Sequence, residues 1–573
     1  MALASAVGVP ISPRTGVADS GNSTVVAVLW AAFLTFLVAG PWLLPGYLFG
    51  TDWPGPRRFD FPTGASSSAA LQAVLAVLSL ALGGEATGKL FVIAILFASG
   101  AFAFRASPTR GFIPGATAAV IYEVNPFVYG RLHYGQLFLL AGYAVLPWVA
   151  ARLRAMLLEP RIFTALVAAT SLTLLGILSL HLFVAAAALF GPLLIASVAS
   201  AHEKLPYSKR LVLPLLLAGV ATLGASSYWI VPLLSARGPE GTSLAGISAG
   251  DLNAFAAIPD ERLGLLPNLL GLYGFWAEAA GRFTPMKAFA LGWPAILGLL
   301  LLLCGLGVFG VFRGPDRQLK AWVAGLLAAA VVALILEAGV SHPLTAGLVQ
   351  RLDAHISLYR GMRDAGKWAV VLALVYSQLA ALGAATVFRW IRERPPGRVG
   401  PEWLSNIATG LVLALPIYYG NGLLYGAHSE IKPSHYPQGW YAADRVLASD
   451  SNPGRTLFLP WHEYMAFDFI HNQNKVVGPP GPAFFTVPIL VSSDPEVPGI
   501  SPPDGPDQTA VTNLVRDGAR GAWAQTLADR HVKYVLVARE LDWAYFKFLD
   551  DQPGLIRVGD FGSIMLYRNE LVS

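Results

Sequence analysis

One carboxylate stands just behind the first long apolar stretch of a chain that otherwise avoids charge. Asp52 lies in Gly50-Thr51-Asp52-Trp53-Pro54-Gly55-Pro56-Arg57-Arg58. A charge at a membrane surface is costly unless it is solvated or used. Such a carboxylate can take a proton from an incoming hydroxyl as a general base. Arg57 and Arg58 beside it can hold phosphate oxygens through charge-assisted, bidentate bonds. The pattern implies an acid/base residue facing a phosphorylated lipid. Asp60, further along the same loop, is the second acid candidate. The plainer alternative is a solvated loop whose acids pair with Arg57 and Arg58.

Other strings of polar and aromatic residues could complete such a site. Between two apolar stretches runs Glu123-Val124-Asn125-Pro126-Phe127-Val128-Tyr129-Gly130-Arg131-Leu132-His133-Tyr134-Gly135-Gln136. Asn-Pro breaks a helix, so Tyr129, Arg131, His133 and Gln136 are expected to line a cavity at membrane depth, or else to form an interfacial anchor. His181 falls at a junction between two apolar stretches, where a packed, hydrogen-bonded histidine is the usual outcome. Tyr273 and Trp276, in Tyr273-Gly274-Phe275-Trp276, can stack on sugar rings or anchor helices at the interface. In Leu358-Tyr359-Arg360-Gly361-Met362-Arg363-Asp364-Ala365-Gly366-Lys367-Trp368, the cations Arg360, Arg363 and Lys367 precede a helix on the face where positive charge is disfavoured. A bound phosphate would account for them; a rim of snorkelling arginines is the alternative. His462, in Pro460-Trp461-His462-Glu463-Tyr464, could touch a glycan or sit in a packed aromatic corner.

The elements that must position these residues are written in the composition. The chain has 573 residues, 55% hydrophobic and 13% charged, against roughly 25% charged in soluble proteins. It therefore reads as an integral membrane protein. Eleven stretches are apolar and long enough to cross a bilayer: about 24–46, 88–105, 111–127, 134–151, 161–180, 181–200, 210–234, 288–312, 321–340, 367–391 and 404–424. The first reads as a retained helix. Segment 69–83 is short and reads as an interfacial or re-entrant helix. Arg105 and Arg110, then Arg152, Arg154 and Arg161, then Lys204, Lys209 and Arg210 fall in loops on one side. Arg313, Arg317 and Lys320 join them, as do Arg389, Arg392, Arg394 and Arg398. The positive-inside bias makes that side cytoplasmic. The N-terminus is then inside, and residues 47–87, 235–287, 341–366 and 425–573 are outside. Residues 1–424 form the membrane domain, and 425–573 a small outer α/β domain with strand-like runs at 455–460, 533–538 and 563–567.

These features resemble the GT-C superfamily of polytopic glycosyltransferases. The likeness rests on the N-in bundle, the acid in the first long outer loop and the outer C-terminal domain. Asn125-Pro126-Phe127-Val128-Tyr129-Gly130-Arg131, Tyr273-Gly274-Phe275-Trp276 and Arg363-Asp364-Ala365-Gly366-Lys367-Trp368 look like runs of prokaryotic members. Some of these members resemble the membrane part of actinobacterial arabinofuranosyltransferases. The resemblance implies a mainly α, GT-C-like bundle of about eleven spans in the cytoplasmic membrane. It implies transfer of a sugar from a polyprenyl-phosphate donor to a glycan or glycolipid acceptor, by inversion, with Asp52 in the place of the catalytic acid. Arg57, Arg58, Arg131, Arg360, Arg363 and Lys367 become candidates for the donor phosphate. Tyr129, His133, Gln136, His181, Tyr273, Trp276 and His462 become candidates for sugar or acceptor contact. The family often has two acids in the first loops, whereas Asp52 and Asp60 are eight residues apart. No WWDYG-like signature is present, which argues against glycan transfer to asparagine.

Several classes lack a sequence basis. There is no Walker A or GxGxxG element for a nucleotide, no Cys/His cluster for zinc and no GxSxG elbow. No metal ligands are assigned, and an acidic divalent-cation site built from scattered loops stays open. Cys304 is the only cysteine, so no intramolecular disulfide forms. The expected partners are the lipid-linked donor, the acceptor and membrane lipids, with no nucleic acid. A flippase of lipid-linked saccharides is the main alternative, although transporters usually show pseudo-repeated halves and polar residues at mid-membrane. A non-catalytic envelope scaffold is the other.

Overall fold

The structure, a computed structural model, describes residues 20–247, 249–392, 402–497, 500 and 505–572. Arg394 and Arg398 lie outside the described residues. Eight helices are long and apolar enough to cross a membrane, and a ninth crossing is formed if the pair Asn406–Tyr419 and Asn421–His428, bent by 62°, counts as one span. Outward faces carry exposed Leu29, Phe36, Leu80, Ile195, Leu216 and Val220, an apolar surface suited to lipid and not to water. The protein is a multi-pass membrane protein.

Each of the eleven apolar stretches contains a helix, but two are shorter than expected. Helix α1 (Ser20–Ala39) leads into the first loop, and α2 (Ala69–Ala106) follows it. Helix α3 (Phe112–Glu123) has only 12 residues, about 18 Å at 1.5 Å per residue, well short of the bilayer core. It stops because Asn125 caps a new short helix, α4 (Pro126–Tyr134). The Asn125 side chain accepts from the Val128 N–H at 3.1 Å, and Pro126 takes the first helical position, where its missing N–H costs nothing. Gly135, left-handed at φ 74°, closes α4, and α5 (Leu137–Leu158) begins at once. Helix α6 (Ile162–Leu178) has 17 residues and ends where Ser179 caps α7 (Leu180–Ser200).

Segment 69–83 is helical up to Gly83. There a non-helical backbone, φ 78° and ψ 162°, separates it from the following span, so α2 is two helices joined across a kink. The first loop crosses at that bend. The Gly84 N–H donates to the Arg57 carbonyl at 3.1 Å, and a Cβ on Gly84 would meet the Pro56 oxygen at 2.2 Å. The two glycines let α2 bend away from a backbone that passes against it.

The C-terminal region holds a five-stranded sheet ordered β4-β1-β5-β7-β6. Its strands are β1 (Arg455–Leu459), β4 (Ile489–Leu490), β5 (Val532–Ala538), β6 (Leu555–Asp560) and β7 (Ile564–Asn569). The first three run parallel, and the last two are antiparallel additions. Alternation along β5 sends Tyr534, Leu536 and Ala538 into a core around Trp440 and Phe484. Val535 and Val537 go to the other face, around Trp523 and Leu527. Period-two burial on both faces is what a sheet covered on two sides requires. A separate ribbon, β2 (Met465–Ala466) with β3 (Val476–Val477), hangs from the loop after β1.

Candidate active site

The first loop is gripped from two sides. Towards the bundle, the Asp52 N–H donates to the Tyr134 carbonyl at 2.7 Å. Towards the C-terminal domain, Tyr47 and Ser434 exchange backbone bonds at 2.8 and 2.9 Å, and the Gly478 N–H donates to the Thr51 carbonyl at 2.8 Å. Asn472 Nδ2 donates to the Phe49 carbonyl and Asn474 Nδ2 to Thr51 Oγ1. The Tyr436 hydroxyl donates to the Pro54 carbonyl at 2.7 Å.

These bonds present the Asp52 side chain where the loop, the end of α4 and the domain meet. It is open to solvent yet ringed by protein, as a group on the floor of a cleft would be. Gln136 Nε2 donates to Oδ2 at 3.2 Å, and the Tyr464 hydroxyl donates to Oδ1 at 3.2 Å. Burial pushes the carboxyl above its ordinary range, while Gln136, Tyr464, Lys367 and Arg131 pull the other way. A raised carboxyl pKa is what a general base near neutral pH needs.

Behind Gln136 stands a buried ion pair. Arg131 is 1% exposed and Asp364 4%, and they make a bidentate pair. Arg131 Nη1 also donates to Gln136 Oε1 at 2.7 Å, and its guanidinium lies 3.9 Å from the centre of the Phe275 ring. The order Asp364–Arg131–Gln136–Asp52 is a continuous line of bonds from the core to the carboxylate. Lys367 lies within electrostatic reach of Asp52, donates to the Gly361 carbonyl at 3.3 Å, and has no ion pair among the described residues. His181, at the start of α7, bonds the Gly361 backbone and lies near Lys367, Arg131 and Arg363. Trp276 packs edge-on against Tyr134, 5.1 Å between ring centres.

The remaining candidates have other engagements. Arg57 pairs with Asp444 at 2.6 Å and packs against Tyr441 and Phe484, tying the loop to the domain. Arg58 and Asp60 pair with each other at 3.1 Å on the exposed surface. Arg363 pairs with the buried Asp251, and Arg360 Nε bonds the Asp353 carbonyl at 3.2 Å. Tyr129 bonds the Thr284 carbonyl and Glu430, and His133 faces Glu430 at 3.5 Å while stacking on Phe283. Tyr273 is buried, edge-on to Trp293. His462 sits between Glu496 at 2.6 Å and Asp542 at 3.4 Å.

Four residues of this region were not among the sequence candidates. Tyr464 and Asp364 are two of them. Glu278 lies in a short turn at Trp276–Ala280, and its side chain has no hydrogen-bond partner among the described residues. Burial pushes its carboxyl up to about 7, against the pull of Lys287 and Arg131. Arg282, half-buried and within electrostatic reach of Tyr134, also has no ion pair among the described residues. Among the described residues no group of three or more His, Cys, Asp or Glu could hold a metal ion.

A bundle with broken helices after its first loop, a loop carboxylate at its rim and a C-terminal sheet region against that rim define a polytopic membrane protein. The fold is shared with solved structures. The chain is similar to the cryo-EM structure of arabinofuranosyltransferase AftD from Mycobacteria, with a TM-score of 0.59 and 17% identity over 98% of this chain. The R1389S variant of AftD gives 0.59 and 18% over 97%. The chain spans only 40% and 42% of those two proteins. The apo crystal structure of the Archaeoglobus fulgidus oligosaccharyltransferase matches at 0.45 and 11% identity, covering 93% of this chain and 71% of that one. No protein-family model and no curated protein matches the sequence.

Proposed function

We propose that the protein is a membrane glycosyltransferase that moves a sugar from a polyprenyl-phosphate donor to a hydroxyl of a glycan or glycolipid. The observation that carries this reading is Asp52: a solvent-reachable carboxylate with a raised pKa, held by two donors, near Lys367, a cation with no ion pair among the described residues. The GT-C-like fold, shared with a protein described as an arabinofuranosyltransferase, supports the same class. The arginine-rich loops at the far ends of the helices favour placing Asp52 on the outer face of the cytoplasmic membrane.

In the proposed step the acceptor oxygen attacks the anomeric carbon while Asp52 takes its proton. The bond from that carbon to the phosphate oxygen breaks, and the polyprenyl phosphate leaves with the electron pair. Attack opposite the leaving group inverts the sugar carbon. Lys367 and Arg282, with no ion pair among the described residues, are our candidates to meet the charge growing on the phosphate, because Arg57, Arg58, Arg131 and Arg363 already face carboxylates and Arg360 is bonded to the Asp353 carbonyl. The donor is identified by mass spectrometry of lipids that co-purify with the protein, and transfer is then assayed in nanodiscs with and without EDTA. Asp52→Asn, nearly isosteric, should lower kcat by at least ~10²-fold with the fold intact. Full transfer by that variant ends the proposal.

A further inference from the structure

The domain that follows the bundle supplies half of the grip on the proposed base. The two oxygens of Asp52 are held by donors from different parts of the protein: Gln136, at the α4–α5 junction, holds Oδ2, and Tyr464, in the domain, holds Oδ1. Tyr464 immediately precedes β2, which pairs with β3 in the register Met465↔Val477. The residue after β3, Gly478, donates its N–H to the Thr51 carbonyl. Asn474, two residues before β3, donates to the Thr51 hydroxyl at 2.8 Å. One small ribbon thus grips Thr51 by main chain and side chain and sets the phenol on the next residue of the loop.

We propose that Tyr464 is a positioning residue for transfer: the β2–β3 ribbon holds Asp52 ionised and aimed at the acceptor, so the reacting centre is shared between the bundle and the C-terminal domain. This rests on Asp52 being the base. The phenol is a lasting donor, because its burial and the neighbouring Asp52 keep it protonated. A hydrogen bond to the charged form of an acid lowers its pKa, so the ribbon counters part of the rise that burial imposes. The other ionisable groups facing Asp52 are Lys367, Arg131 and Tyr134, with Glu463 beside Tyr464.

The test is the pH dependence of kcat for the full-length protein in nanodiscs, using the donor identified above. Tyr464→Phe keeps the ring and removes the donor. The acid limb of the profile should move up by about one pH unit, with kcat recovering to within about threefold of the parent well above it. Gln136→Leu should shift the limb in the same direction, and the double variant further than either. An equal loss of kcat at all pH values, or no change in the limb, overturns the proposal. Asp52→Asn run alongside separates the two ideas: an active Asp52→Asn removes the base itself. An inactive one with an unmoved Tyr464→Phe limb removes only the clamp.

Discussion

A methyl group added at Gly135 should disable the site without unfolding the protein. Gly135 ends α4 at φ 74°, next to Tyr134, whose carbonyl holds the Asp52 N–H, and to Gln136, which bonds the Asp52 carboxylate. A Cβ there would stand 2.6 Å from the Trp53 Cβ and 2.8 Å from its nitrogen. Bringing the nearer contact out to 3.4 Å, where ordinary van der Waals contact begins, moves the loop by about 0.8 Å at the residue after Asp52, since packed atoms cannot overlap. The left-handed backbone adds roughly 1–2 kcal/mol for any residue with a Cβ, and the forced shift about 1–3 kcal/mol. A misplacement near 1 Å can cost about 10²-fold in rate, so Gly135→Ala should lower kcat by about that factor. Gly292 is the control: its φ of 72° and ψ of 26° match those of Gly135, but nothing lies within 4 Å of its Cβ position. Gly292→Ala should show the backbone penalty alone, as a modest fall in melting temperature with transfer near the parent rate. Both variants are compared by thermal melting in detergent and by transfer in nanodiscs. A Gly135→Ala protein that transfers within about threefold of the parent, or a Gly292→Ala protein equally impaired, refutes the link between that contact and Asp52.

Two other outcomes follow from the charges around the site. Arg131→Met and Asp364→Leu should each destabilise the protein by ~3–5 kcal/mol, because each strands a buried charge, whereas the double variant should recover most of that loss. Thermal melting of the three proteins decides it, and simple additivity of the single losses contradicts the pairing. Glu278, raised to about 7 by burial, binds its proton more tightly in the folded protein than in the unfolded chain. It therefore costs stability increasingly as pH rises from its ordinary value of 4.5 to about 7, and by a constant amount above that. Glu278→Gln should gain melting temperature over the parent across that interval, and the gain should level off above pH 7; a gain confined to acid pH contradicts the assignment.

The features legible in the sequence are those carried by local pattern. Asp52 stood out because apolar neighbours made its charge conspicuous, and Asn125-Pro126 announced the break between α3 and α4 because capping and the missing proline N–H act within one helical turn. The runs at 455–460 and 533–538 showed their strands through short β-branched and aromatic patterns. Where local pattern misled, backbone geometry decided. Apolar length at 111–127 suggested a full crossing, yet the Asn125 cap divides it. The glycine pair at 83–84 does mark a boundary, the kink at Gly83 where one helix ends and the next begins.

The composition of the site itself lay beyond local pattern, because it depends on pairing across the chain. Six cations were credible phosphate ligands by position alone. What separates them is a partner far away in sequence: Arg57 faces Asp444 and Arg131 faces Asp364, at separations of 387 and 233 residues. A guanidinium already satisfied by a carboxylate must lose that bond before it can hold a phosphate, whereas Lys367 and Arg282 have no ion pair to lose among the described residues. The Asp52–Tyr464 contact spans 412 residues, and nothing in Glu463-Tyr464-Met465 marks that phenol as belonging to the first loop. Glu278 is hidden for a related reason. Between Ala277 and Ala279 it reads as an ordinary turn acid, and only burial beside Lys287 and Arg131 gives it a titration near neutral pH. The carboxylate was therefore visible from its own neighbourhood, while the groups that set its ionisation and aim had to come from the fold.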